Sequence, residues 1–301
     1  MTNILISGGA GFIGSHLVDR LLELDHTVTI LDDLSAGKIE NVNLYAKLNI
    51  GTVEDLQTVR TIVKTYDIEV IFHLATPCLV KGLEDPVLMQ RVDDLGTFNV
   101  CMVAREKDIK VVYISTSEIY GIQDKFPIKE DAKPNPVSLY GLVKLIGEEY
   151  VRFFHKVYMV PAVIIRPFNC YGPRHREDDY ACVITRFLQR AKKGLPPMIM
   201  GDGLQSRDFS YVDDIVDGIM KLWTLGNGIT VNLGSGKDIN MMDLAKLVWK
   251  TYGYKSEPSI DWEVERPHDI RKLQADISLA KEYGYEPKIS LEEGLKRYFN
   301  F

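Results

Sequence analysis

The chain has 301 residues, 46% of them hydrophobic and 26% charged, with a mean hydropathy of -0.08. That composition excludes disordered, fibrous and membrane-embedded classes, and the length suits two domains or one large α/β domain with an appended lobe. A net charge of -6 and a pI near 5.6 leave no basic surface for nucleic acid or anionic lipid, so chemistry on a small molecule is expected.

Short apolar runs alternate with helical periodicity through the first half. Ile4-Leu5-Ile6 precedes a helix pattern over Phe12 to Leu24; Val28 to Leu31 precedes Leu56 to Lys64; Val70 to Leu74 precedes Val87 to Glu106. Val111 to Ile114, a proline-rich polar loop, a helix over about Tyr140 to Tyr158, and Ala162 to Ile165 continue the series. Such a β-α-β-α order predicts a Rossmann-type, doubly wound parallel sheet with helices on both faces. Beyond Pro167 the pattern is less regular, although Asp213 to Trp223 and Met241 to Tyr252 still read as helices. The expectation is a dinucleotide domain over 1–167, with part of 208–235 returning to it, and a smaller α/β substrate lobe over 168–301. Cys78, Cys101, Cys170 and Cys182 form no C-x-x-C pair, so no metal site or disulfide framework is expected. With no apolar run of membrane length and no signal-like N-terminus, a reduced cytoplasmic setting is predicted.

Gly8, Gly11 and Gly14 follow the first apolar run and open the first helix pattern, the arrangement that lets a backbone approach a pyrophosphate at a helix N-terminus. Asp32, at the end of the next strand, can accept from a ribose 2′-hydroxyl and would repel a 2′-phosphate, which favours NAD over NADP.

Tyr140 and Lys144 stand four apart at a predicted helix start and so share one face. Alone they make an ordinary surface pair; beside a cofactor loop they suggest a base and its activator. A phenol must lose about three pKa units, about 4 kcal/mol, to work near neutrality, and one ammonium at about 4 Å supplies about that much. Thr116, after the Val111 to Ile114 strand, could share the proton and orient a sugar alcohol.

Together with Arg166-Pro-Phe-Asn169 and Arg207-Asp-Phe-Ser-Tyr-Val-Asp213, these motifs resemble the extended short-chain dehydrogenase/reductase family, nearest its nucleotide-sugar epimerases, dehydratases and decarboxylases. The resemblance spans essentially the whole chain. It implies Tyr140 as base, Lys144 on the nicotinamide ribose, Thr116 as hydroxyl partner, and Phe12, Ile13, Leu74 and Ala75 along the dinucleotide. It also implies Asn169, Arg207 and Arg266 on the nucleotide diphosphate, Asp269 on the nucleotide ribose, and a homodimer through helices near 88 to 107 and 140 to 158. Two positions depart from the pattern: Thr52 replaces an Asp beside the adenine, and Asp93 replaces an Asn before Gly96-Thr97, which leaves the adenine contacts open.

All branches of this family begin with transient oxidation at sugar C4. Glu118 separates them, because a 4,6-dehydratase needs a carboxylate to take the C5 proton and a 4-epimerase does not. Arg266-Pro-His-Asp269 is epimerase-like, so a UDP-sugar 4-epimerase is the preferred expectation. The alternatives are a dehydratase using Glu118, a UDP-glucuronate decarboxylase, and a non-catalytic NAD-binding regulator.

Overall fold

The computed structural model describes residues 1–77, 82, 84–178, 181–264 and 269–300. In chain order the first half runs β1 (Asn3–Ser7), α1 (Phe12–Glu23), β2 (Thr27–Asp32), β3 (Lys47–Ile50), α2 (Leu56–Thr65) and β4 (Val70–His73). Helix α3 follows in three joined segments, Pro86–Met89, a π-helical turn Gln90–Leu95, and Gly96–Lys107. Then come β5 (Lys110–Ile114), α4 (Leu139–Tyr158) and β6 (Ala162–Pro167).

These strands and a late one, Asn227–Leu233, form a seven-stranded sheet in which each recorded pairing is parallel. Side-chain alternation sorts its residues to two cores. Ile4, Ile6, Val112, Ile114, Val163 and Ile165 face one side with Leu17, Val18 and Leu21 of α1. Leu5, Val111, Tyr113 and Ile164 face the other with Val59 of α2, Val103 of α3 and Val151 of α4. Being buried on both faces, the strands read as continuous apolar runs, which is why they were visible in the sequence. Lys47–Ile50, an edge strand with exposed ends, carries no such run and was not anticipated.

The second half holds β7 (Asn169–Tyr171), α5 (Val183–Lys192), β8 (Met198–Met200), β9 (Ser206–Tyr211), α6 (Val212–Leu222), β10 (Asn227–Leu233), β11 (Asp238–Asn240), α7 (Met241–Tyr252), β12 (Asp261–Glu263), β13 (Lys272–Leu273), α8 (Ser278–Glu282) and α9 (Leu291–Phe299). α6 packs against α1, and β10 pairs with β6 at the edge of the large sheet. β7, β11 and β13 join β9 in a small sheet, and β8 pairs with β12. Among the described residues no helix is long and apolar enough to cross a membrane.

Candidate active site

A cleft of about 1040 Å³ lies over the carboxyl ends of β1, β2, β4 and β5 and extends to β7, β8 and β9. It matches the top of the range of about 300–1,000 Å³ usual for a single small-molecule pocket, and ligands of open parallel sheets bind at this edge.

At one end, Gly8, Gly11, Phe12, Ile13 and Gly14 line it. Gly8 has φ +76, and a Cβ there would lie 2.8 Å from the Ala75 nitrogen. A Cβ on Gly14 would lie 2.2 Å from the Gly8 oxygen, so the turn closes on α1 only with glycine at that position. Gly11 caps α1 without a side-chain hydrogen bond, leaving the helix N-terminus open to an anion.

Asp32 also lines the cleft; its Oδ2 accepts from the Ala10 N–H and its Oδ1 from the Leu34 N–H, both at 2.9 Å. Burial leaves its carboxyl pKa raised, with those two N–H groups opposing part of the rise. Leu74 and Ala75 face the loop from the end of β4, and Thr52 lines the same region. Asp93 does not share that place: it is buried against Lys144, with Oδ1 3.8 Å from Nζ. Neighbouring His73 is structural, with Nδ1 sharing a hydrogen bond with Ser7 Oγ at 2.6 Å and Nε2 with Thr97 Oγ1 at 3.0 Å. Burial pushes its pKa down to about 3, so the imidazole is neutral.

Farther along, Thr116, Glu118 and Tyr140 line the cleft together. The Thr116 hydroxyl accepts from the Glu118 N–H at 3.2 Å, turning the chain sharply after β5. Ser138 caps α4 by accepting from the Gly141 N–H at 3.1 Å, which starts the helix at Leu139, one residue before Tyr140. Lys144, one turn on, is not part of the cleft wall. It lies beneath it, 1% exposed, with Nζ 3.8 Å from Asp93 and 4.4 Å from the Tyr113 ring centroid.

Asn169 on β7, Arg207 on β9 and Asp269 line the cleft as well. The Arg207 guanidinium donates to Asp269 Oδ1 at 2.9 Å, so two residues anticipated to share one nucleotide are in contact. Arg266 falls outside the described residues. Asn169 Nδ2 and Gln205 Oε1 are buried cleft atoms without a hydrogen-bond partner, which leaves them for a ligand. Gln205 was not singled out from the sequence, where nothing but its place before Arg207 marks it.

Residues 4–234 match the model of the "NAD dependent epimerase/dehydratase family". The chain belongs to this family. It is 36% identical over 301 residues to a putative UDP-glucose 4-epimerase of Methanocaldococcus jannaschii, covering 99% of this chain and 97% of that one. Its fold superposes with a TM-score of 0.95 on the UDP-glucose 4-epimerase of Thermotoga maritima with UDP-glucose, at 36% identity over 99% and 98% of the two chains. The NAD complex of the Thermus thermophilus UDP-glucose 4-epimerase gives a TM-score of 0.92 at 30% identity, over 99% and 98%. This epimerase/dehydratase is therefore an NAD-dependent enzyme of the Rossmann type, and the glycine cradle and Asp32 fit that cofactor.

Proposed function

We propose that this enzyme is a UDP-sugar 4-epimerase whose base is Tyr140. The observation that carries the reading is the single cleft whose lining brings together Tyr140, Thr116 and the glycine cradle with Asn169, Arg207 and Asp269. A nucleotide diphosphate held by the second group presents its sugar to the first.

Tyr140 takes the proton of the C4 hydroxyl as that carbon is oxidised, and Thr116 orients the hydroxyl and shares the proton. Lys144, beneath Tyr140, supplies the positive charge that keeps the phenolate accessible. NAD, when bound, supplies the reversible acceptor for the two electrons and the hydrogen released at C4. The ketosugar turns over in the cleft, C4 is reduced on its other face, and Tyr140 returns the proton. No further acid or base is needed.

Glu118 beside Tyr140 supports 4,6-dehydration as the second reading, since a carboxylate there could take a C5 proton. Incubation with UDP-, GDP- and dTDP-sugars decides between them. An epimer of unchanged mass, with no deuterium from solvent at C5, is the expected product; loss of water with exchange at C5 overturns the epimerase reading, and loss of carbon dioxide names a decarboxylase.

The same reading makes the protein a homodimer. α3 and α4 pack side by side and expose Leu95, Phe98, Leu142, Phe153 and Val157, an apolar face suited to a second copy. Sedimentation should give twice 34.2 kDa. Cys101, Cys170 and Cys182 are free thiols, which accords with a cytoplasmic location.

A further inference from the structure

Asp93 sits in the π-helical turn Gln90–Leu95 of α3 and is 1% exposed. Its Oδ2 accepts from the Thr76 hydroxyl at 3.0 Å, and Thr76 lines the cleft. Its Oδ1 has no hydrogen-bond partner and lies 3.8 Å from Lys144 Nζ. The Asp93 carboxylate is thus aimed at a buried ammonium and short of full contact with it.

Among the other described groups around Lys144, Glu148 also favours the ammonium form, less than Asp93 does. Glu148, one turn along α4, is engaged by Arg166 and by Arg152. His73 on β4 is neutral, and Tyr113 on β5 presents its ring while its hydroxyl donates to the Lys144 carbonyl at 3.3 Å. Tyr140, on the first turn of α4, is the group whose proton Lys144 serves. A buried ammonium without a counter-charge loses its proton more readily, and burial does lower the Lys144 pKa, with Asp93 the foremost influence opposing it.

We propose that Asp93 is a positioning residue, the counter-ion that keeps Lys144 an ammonium beneath Tyr140 and sets the net charge at the nicotinamide end of the cleft. The proposal rests on the reading of Tyr140 and Lys144 as the proton-handling pair. Where the resembled family pattern has an uncharged Asn, this chain places a carboxylate. The pair is close to neutral when Asp93 is ionised and carries one positive charge when Asp93 takes a proton. Burial pushes the Asp93 pKa up to about 6 against the pull of Lys144, so that change falls just below neutrality. A positive charge near a bound nicotinamide would disfavour its cationic oxidised form relative to the neutral reduced one.

The test is calorimetric titration of the cofactor-stripped protein with NAD+ and with NADH between about pH 5 and pH 9, which reads the charge without any sugar chemistry. The ratio of NAD+ to NADH affinity should rise about tenfold as pH increases through about 6, and Asp93→Asn should remove that step. In turnover assays the alkaline limb of kcat should move to lower pH by about one unit or more in Asp93→Asn, with the sugar KM little changed. A wild-type ratio flat across pH 5 to 7, read with no variant at all, overturns the proposal. So does an Asp93→Asn protein with the wild-type step and the wild-type alkaline limb. An intact step in a protein that turns over no nucleotide sugar would instead refute the epimerase reading and uphold Asp93.

Discussion

Arg166 meets Glu148 through two parallel hydrogen bonds inside the molecule, Nε to Oε1 at 2.8 Å and Nη2 to Oε2 at 2.7 Å. The same guanidinium donates to the Tyr120 hydroxyl at 2.7 Å and to the Glu130 carbonyl at 2.9 Å. One cation on β6 therefore ties α4, which carries Tyr140 and Lys144, to the chain segment that follows Glu118. Removing one partner of a buried, hydrogen-bonded pair costs about 3–5 kcal/mol, because the other charge is left unpaired.

Glu148→Gln should accordingly lower stability by about that amount at neutral pH. Burial works to raise the Glu148 pKa, but the Arg166 guanidinium outweighs it and the carboxyl lies below its ordinary 4.5. A depressed carboxyl contributes stability that is present above pH 4.5 and lost as pH falls through the lower, folded value. Denaturant midpoints measured across this acid range should converge for the two proteins as pH falls; a constant gap would contradict the assignment.

Gly14→Ala should weaken NAD by about tenfold or more, since its Cβ would sit 2.2 Å from the Gly8 oxygen and push the phosphate turn off α1. Fluorescence titration checks this. Wild-type affinity in the variant would show that the turn can relax.

Asp32 should make the protein prefer NAD over NADP by about tenfold or more, because a 2′-phosphate would bring negative charge against its carboxylate. Asp32→Ala should lose both the preference and part of the NAD affinity, as it also frees the Ala10 and Leu34 N–H groups. Equal binding of the two dinucleotides by the wild type would remove Asp32 from the ribose.

Tyr140→Phe should keep NAD binding and reduce turnover by about 10²- to 10⁴-fold, the usual contribution of a general base. Steady-state rates on the sugar identified from the nucleotide-sugar panel measure it. Near-full activity would mean that another group handles the C4 proton.

Cys182 caps α5 at the cleft wall, 3.3 Å from the Thr185 hydroxyl and in contact with His175. Burial raises its thiol pKa, but the His175 charge together with hydrogen bonds from His175 and Thr185 outweighs this and brings it down to about 7. Its alkylation by iodoacetamide should rise as pH increases through about 7 and level off above about 8. Saturating UDP-sugar should slow the reaction. A rate still climbing steeply above pH 9 would indicate an ordinary thiol.

What the sequence determined by itself was local. Gly8 to Gly14 mark a strand, a turn and a helix start within seven residues, and Tyr140 and Lys144 share a face because a helix turn sets their separation. Buried parallel strands are apolar throughout, so the succession of strands and helices in the first half was legible too, apart from the edge strand β3, with Asp32 and Thr116 at the carboxyl ends of their strands. What tertiary structure decided was every partnership across crossovers. Asp93 and Lys144 are 51 positions apart and meet only because α3 and α4 cover the same face of the sheet. Glu148 and Arg166 pair because α4 lies over β6, and β10 joins β6 only after β7, α5, β8, β9 and α6 have intervened. Strands of two or three residues, such as β7, β8 and β13, are too short to show a period, and the backbone bonds of their neighbours define them. Whether a carboxylate is a ligand contact or the counter-ion of a buried lysine depends on what the fold packs against it, and no spacing along the chain records that.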